Sequence, residues 1–94
     1  MKHLDITVKG KVQGVSYRAS TKAVADQLGV RGTIRNEANG DVLIEAEGEP
    51  AMLEMFLDWV NEGPQDAAVT AVETIEGQLK NYRNFEVLKR GLFN

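Results

Sequence analysis

The sequence predicts an α+β fold of the split βαβ, or ferredoxin-like, kind. The expected order is β-α-β-β-α-β with a short extra strand, giving one antiparallel sheet with two helices on one face. Three observations predict it. Apolar residues alternate with polar ones in several short runs, which is the period of a half-buried strand. Two longer runs carry apolar residues on a helical stripe instead. Glycine and proline fall between the runs, where the chain must turn. The alternation also implies that one face of the sheet is covered and the other is wet. A chain of 94 residues suits a single domain, read here as residues 1–94.

Leu4, Ile6, Val8 and Val12 alternate with Asp5, Thr7, Lys9 and Lys11 to form the first strand. Tyr17, Thr21, Val24, Ala25 and Leu28 then share one helical stripe, and Gly29 suits a left-handed C-cap. Val30 to Asn36 reads as a strand with Val30, Gly32, Ile34 and Asn36 on one side. Asn39-Gly40 is a hairpin signal in which both residues tolerate positive φ, and Asp41 to Glu47 returns as a strand. Pro50 opens the second helix, where its missing N–H costs nothing. Leu53, Phe56, Leu57 and Val60 form its stripe, widened by Met52, Met55 and Trp59, and Gly63-Pro64 ends it. Ala67 to Ile75 leans to strand, but Val69 and Val72 break simple alternation, which points to a bulge. Gly77 to Asn84 is a polar connection, Phe85 to Leu88 a short last strand, and Gly91 to Asn94 a frayed tail.

Composition narrows the chemistry. There is no cysteine, which excludes thiolate catalysis and disulfides. A formal net charge of −3 argues against nucleic acid as a partner. No apolar run approaches the roughly 20 residues that cross a bilayer, and Met1-Lys2-His3 leads straight into a strand. A soluble, cytoplasmic monomer is the expectation. The one histidine, His3, is expected to be a solvated strand position, and Glu45, Glu47 and Glu49 an exposed strand edge. No carboxylate or histidine cluster has metal-ligand spacing, so neither metal nor cofactor is expected.

The stretch that carries chemistry is Gly10-Lys11-Val12-Gln13-Gly14-Val15-Ser16-Tyr17-Arg18. It joins a strand to a helix. The first N–H groups of a helix lack internal partners and carry partial positive charge. Gly14 lets the backbone bend or approach a ligand closely, and Arg18 offers a planar fork to phosphate or carboxylate. Together these make an anion cradle, without the spacing of a P-loop. On these residues alone, the plainer reading makes Arg18 a solvated first-turn arginine and Gly14 an ordinary turn glycine. A phosphate cradle without nucleophile, general acid or metal suits a substrate with a good leaving group. Acyl phosphates qualify, because a carboxylate leaves with little or no protonation. Catalysis then needs charge stabilisation and a positioned water.

The nine residues resemble the signature loop of the acylphosphatases. Gly32-Thr33-Ile34-Arg35-Asn36, with Gly40-x-Val42 and Gly48, resembles that family's second signature. The similarity spans roughly residues 3 to 89. It implies hydrolysis of a carboxyl-phosphate anhydride to carboxylate and inorganic phosphate. Arg18 matches the phosphate-binding arginine and Asn36 the water-orienting asparagine. Gln13, Gly14, Val15, Ser16, Tyr17 and Arg18 make up the phosphate-binding loop. Inorganic phosphate is then both product and inhibitor. With no base in view, a phosphate oxygen of the substrate is left to take the water's proton. Thr33 and Ile34 depart from the pattern, where an aromatic and a smaller apolar residue are usual. Lys9, Lys11, Arg31 and Arg35 add positive charge to solvated strand faces and could steer anionic substrates. The rival reading is a non-catalytic ferredoxin-like module that binds a small anion or RNA. An RNA-binding module would need stacking aromatics on its central strands, and Leu4 to Val8 and Asp41 to Glu47 have none.

Overall fold

The structure is a computed structural model that describes residues 1–89. The expected frayed tail lies outside the described residues. Its elements are β1 (Lys2–Lys11), α1 (Tyr17–Leu28), β2 (Arg31–Asn36), β3 (Val42–Gly48), α2 (Pro50–Glu62), β4 (Ala68–Gly77) and β5 (Phe85–Val87). They form one five-stranded sheet in the order β4-β1-β3-β2-β5. α1 packs over β2 and β5, α2 over β4, β3 and β1, and the helices pack on each other.

The alternation does what it predicts on the covered face. Ile6 and Val8 of β1, Ile34 of β2, and Val42, Ile44 and Ala46 of β3 are all buried. They meet Tyr17 and Ala25 of α1, and Leu53, Phe56 and Val60 of α2. Phe56 meets Phe85 of β5 edge to face, with ring centroids 6.1 Å apart. Gly29 caps α1 in the left-handed conformation, at φ 71°. The bulge is real: Lys9 pairs with Ala71 but Gly10 pairs with Val69, which leaves Thr70 as the extra residue. Gly10 is required there. A Cβ on it would sit 2.2 Å from the Ala68 carbonyl oxygen.

Several expectations change. The sheet is mixed rather than antiparallel, because β5 runs parallel to β2. Its edge position explains this. The chain leaves β4 at one edge, crosses the open face over residues 78–84, and enters β5 at the other edge. The Asn39-Gly40 turn places only Gly40 at positive φ. Glu37 N–H donates to the Asp41 carbonyl at 2.8 Å and Gly40 N–H to the Glu37 carbonyl at 3.1 Å. That is a three-residue loop, Ala38-Asn39-Gly40, in which the glycine alone takes the left-handed position. Met55 is 52 % exposed. At 100° per residue it lies well off the Leu53–Phe56–Val60 stripe.

His3 and Glu47 are the largest corrections, since each is only 1 % exposed. β1 and β3 are inner strands, and the crossing segment covers their ends on the open face. The Glu47 carboxylate pairs with His3 Nδ1 at 2.6 Å and accepts the Lys80 N–H at 2.6 Å and the Tyr82 N–H at 3.2 Å. Tyr82 stacks on the His3 ring, with centroids 6.5 Å apart. Of the other two glutamates, Glu45 is half-buried and paired with Lys80 at 2.6 Å. Only Glu49, at the start of α2, is exposed as expected.

Burial alone would lower the His3 pKa, but hydrogen bonds and charge from Glu47 and Asp5 raise it above the ordinary 6.5. Burial alone would raise the Glu47 pKa, but the Lys80 amide, His3 and the Tyr82 amide hold it below the ordinary 4.5. A raised histidine pKa contributes stability that is complete below its unfolded value and is lost as pH rises through the folded one. A lowered carboxylate pKa contributes stability that is present above its unfolded value and is lost as pH falls through the folded one. The pair therefore stabilises most between the two ordinary values. The urea midpoint of the wild type should fall from pH 6 to pH 8.5 by more than that of His3→Gln. Parallel pH profiles for the two proteins would refute the charged pairing.

Candidate active site

β1, β2 and β5 all point the same way in the sheet, so Lys11, Asn36 and Val87 lie at one end of it. α1 begins there as well. His3 and Glu47 lie at the far end, so the one imidazole is a strand length from the loop.

The connection from β1 to α1 turns left-handed at Gly14, φ 72°, and again at Ser16, φ 61°. Gly14 takes that conformation freely, whereas Ser16 does so against its Cβ. Strain of this kind persists where the surroundings enforce it. Left-handed residues alternating along a loop can turn successive amides towards a common centre, which is the geometry of an anion nest. The first internal bond here runs from Ser20 N–H to the Ser16 carbonyl at 3.0 Å. Among the described residues, the amides of Gly14 to Ala19 donate to no backbone or side-chain acceptor. A hollow of about 210 Å³ opens beside them, lined by Val12, Gly14, Ser16, Tyr17, Arg18, Ala19 and Val87.

Arg18 faces this hollow and is held from behind. Its Nη1 donates to the Leu88 carbonyl at 3.2 Å. Leu88 N–H in turn donates to the Ile34 carbonyl at 2.8 Å. The arginine is thus tied to β2 two residues before Asn36. Asn36 pairs with Val42, which pairs with Val8, so it faces the helix layer beside buried valines. Its Oδ1 is buried and has no donor among the described residues. A buried carbonyl oxygen left without a donor is costly, which suits a group that receives its hydrogen bond from a ligand or water.

Not every loop residue turns its side chain to the hollow. Tyr17 is buried, its hydroxyl donates to the Val60 carbonyl at 2.7 Å, and its ring lies 5.6 Å from that of Trp59. Burial pushes its phenol pKa far up. Its side chain fastens α1 to α2 and leaves only its amide for the nest. Val15 packs against the core. The Gln13 side chain turns away to the hairpin. The Leu88 carbonyl and the turn of Gln13 were not legible in the sequence, because both depend on contacts between distant segments. The basic residues split. Lys9 pairs with Asp41 at 3.0 Å and Arg35 with Glu37 at 3.1 Å, which cancels their local field. Lys11 and Arg31 have no ion-pair partner among the described residues. Thr33 and Arg35 line a separate hollow of about 270 Å³ on the open face, away from the nest. Among the described residues, no helix is long and apolar enough to cross a membrane.

Fold and loop together define a ferredoxin-like α+β domain whose first helix begins with amides that meet no protein acceptor among the described residues. The family model described as acylphosphatase matches residues 4–87. An acylphosphatase of Archaeoglobus fulgidus is 44 % identical over 84 residues, covering 89 % of this chain and 94 % of that protein. The crystal structure of acylphosphatase from Bacillus subtilis superposes with a TM-score of 0.91 at 31 % identity, covering 94 % of this chain and 99 % of that one. An acylphosphatase structure from Coxiella burnetii gives 0.89 at 37 % identity, covering 93 % and 92 %. The chain belongs to the acylphosphatase family, whose members are hydrolases acting on acid anhydrides. That membership favours catalysis over the non-catalytic binding module.

Proposed function

We propose that the chain hydrolyses acyl phosphates by direct attack of water on phosphorus, with Arg18 and the amides of Gly14 to Arg18 holding the phosphoryl oxygens. Asn36 holds the water. One observation carries this reading: among the described residues, helix-start amides without a protein acceptor lie at the same end of the sheet as Asn36, whose buried Oδ1 has no donor. A water that donates one hydrogen to Oδ1 keeps a lone pair for phosphorus. The amides and the guanidinium gather charge as the P–O bond to the acyl group breaks. The carboxylate departs without needing an acid. The proton released by the water goes to a phosphoryl oxygen. Inorganic phosphate, the product, fits the same cradle and inhibits by competition. A cytoplasmic monomer completes the proposal.

Phosphate release from acetyl phosphate, followed in excess EDTA, tests the reading. Arg18 and the nest supply the positive charge that a metal would otherwise bring, so the rate is expected to stay unchanged on chelation. Activity lost in EDTA and restored by magnesium or zinc would overturn the mechanism.

A further inference from the structure

The proposed chemistry sets its two halves on chain segments that are not neighbours. The loop after β1 and Arg18 in the first turn of α1 make one half, Asn36 at the end of β2 makes the other, and β3 lies between the two strands. A misplacement of 1 Å between reacting groups can cost on the order of 10²-fold in rate. The gap must therefore be bridged by something stiff.

Gln13 spans it. Its Nε2 donates to the Glu37 carbonyl at 2.8 Å and to the Asp41 carbonyl at 2.9 Å. Glu37 directly follows Asn36. Glu37 and Asp41 also close the hairpin on each other, through the Glu37 N–H to Asp41 carbonyl bond. A primary amide has two protons on nitrogen, and here both are committed to the hairpin. None remains for a phosphoryl oxygen. The tie through Leu88 to Ile34 holds Arg18 on the other flank of β2 and does not involve Gln13.

We infer that Gln13 is a positioning residue that latches the β2–β3 hairpin to the phosphate loop and so sets the Asn36 amide against the bound phosphoryl group. The inference rests on the reading of Asn36 given above. Loss of the latch leaves the nest and Arg18 in place. It should therefore slow turnover while sparing phosphate affinity.

Gln13→Met keeps the bulk and removes both donors, whereas Gln13→Lys keeps a donor that can reach the two carbonyls. Steady-state kinetics on acetyl phosphate, with Ki for inorganic phosphate, would be measured for both variants, for Asn36→Ala and for Gln13→Met combined with Asn36→Ala. Circular dichroism and thermal melts monitor folding. Gln13→Met should lose about 10–100-fold in kcat with Ki within about threefold of wild type. Gln13→Lys should recover much of that loss. In the Asn36→Ala background, Gln13→Met should cost less than about threefold, because its effect passes through Asn36. Equal losses in both backgrounds, or an unchanged kcat in Gln13→Met, would overturn the latch. Unchanged kcat in Asn36→Ala would instead remove the reading of Asn36 and the latch with it. A slow Asn36→Ala beside a fast Gln13→Met would overturn the latch alone.

Discussion

Arg18→Ala is expected to lose at least about 10³ in kcat/KM with its fold intact, on the scale of arginines that stabilise phosphoryl transfer. The loop amides supply directional donors, but Arg18 adds a full charge in a fork that can bind two oxygens together. Arg18 is half-buried at the hollow, and its Nη1 is anchored by Leu88. Arg18→Ala removes this half-buried side chain and its bond to Leu88 but takes nothing from the buried apolar core, so the fold should survive. Arg18→Lys separates charge from geometry. The ammonium is a point charge that cannot hold the Leu88 carbonyl and two phosphoryl oxygens in one plane. It should therefore also lose most activity, and Ki for inorganic phosphate should rise in both variants. Near-normal kcat/KM in Arg18→Lys would mean that the fork is not used.

Asn36→Ala should lower kcat by on the order of 10²–10³, about 2.7–4 kcal/mol, with Ki for phosphate little changed. The separation follows from the proposed task. If Asn36 orients the nucleophile, its contacts matter most in the transition state, and removing them lowers kcat and kcat/KM together. The substitution also removes the donorless Oδ1, so the folded protein should not lose stability on that account. Asn36→Asp keeps acceptor oxygens but sets negative charge beside the phosphoryl group, so it should weaken phosphate binding as well. A folded Asn36→Ala protein within about threefold of wild-type kcat, under ~1 kcal/mol of barrier, would reduce Asn36 to a turn residue.

Much of this was legible in the chain because it is local. The alternation of Ile6 and Val8, and of Val42, Ile44 and Ala46, reports directly which side of a strand is covered. Gly29, Pro50 and Gly63-Pro64 bound the helices through their own backbone limits. Arg18 and Asn36 could be singled out because their motifs are contiguous. What failed depends on distant partners. His3 and Glu47 are 44 residues apart, and each looks like a solvated polar position until the other is brought beside it. The crossing segment that buries them has no periodicity to betray where it lies. The direction of β5 was hidden for the same reason: three residues cannot declare which strand they will pair with. Gln13 reads in the sequence as a member of the phosphate-binding loop, and its tie to the hairpin emerges only when the hairpin closes over it.

The most direct measurement of the central claim is the fate of labelled water. Acetyl phosphate hydrolysed by the enzyme in water enriched in oxygen-18 should give inorganic phosphate carrying one labelled oxygen and unlabelled acetate, because the water is aimed at phosphorus. Label found in the acetate would show attack at the carbonyl carbon and would contradict the roles given to Arg18, the loop amides and Asn36.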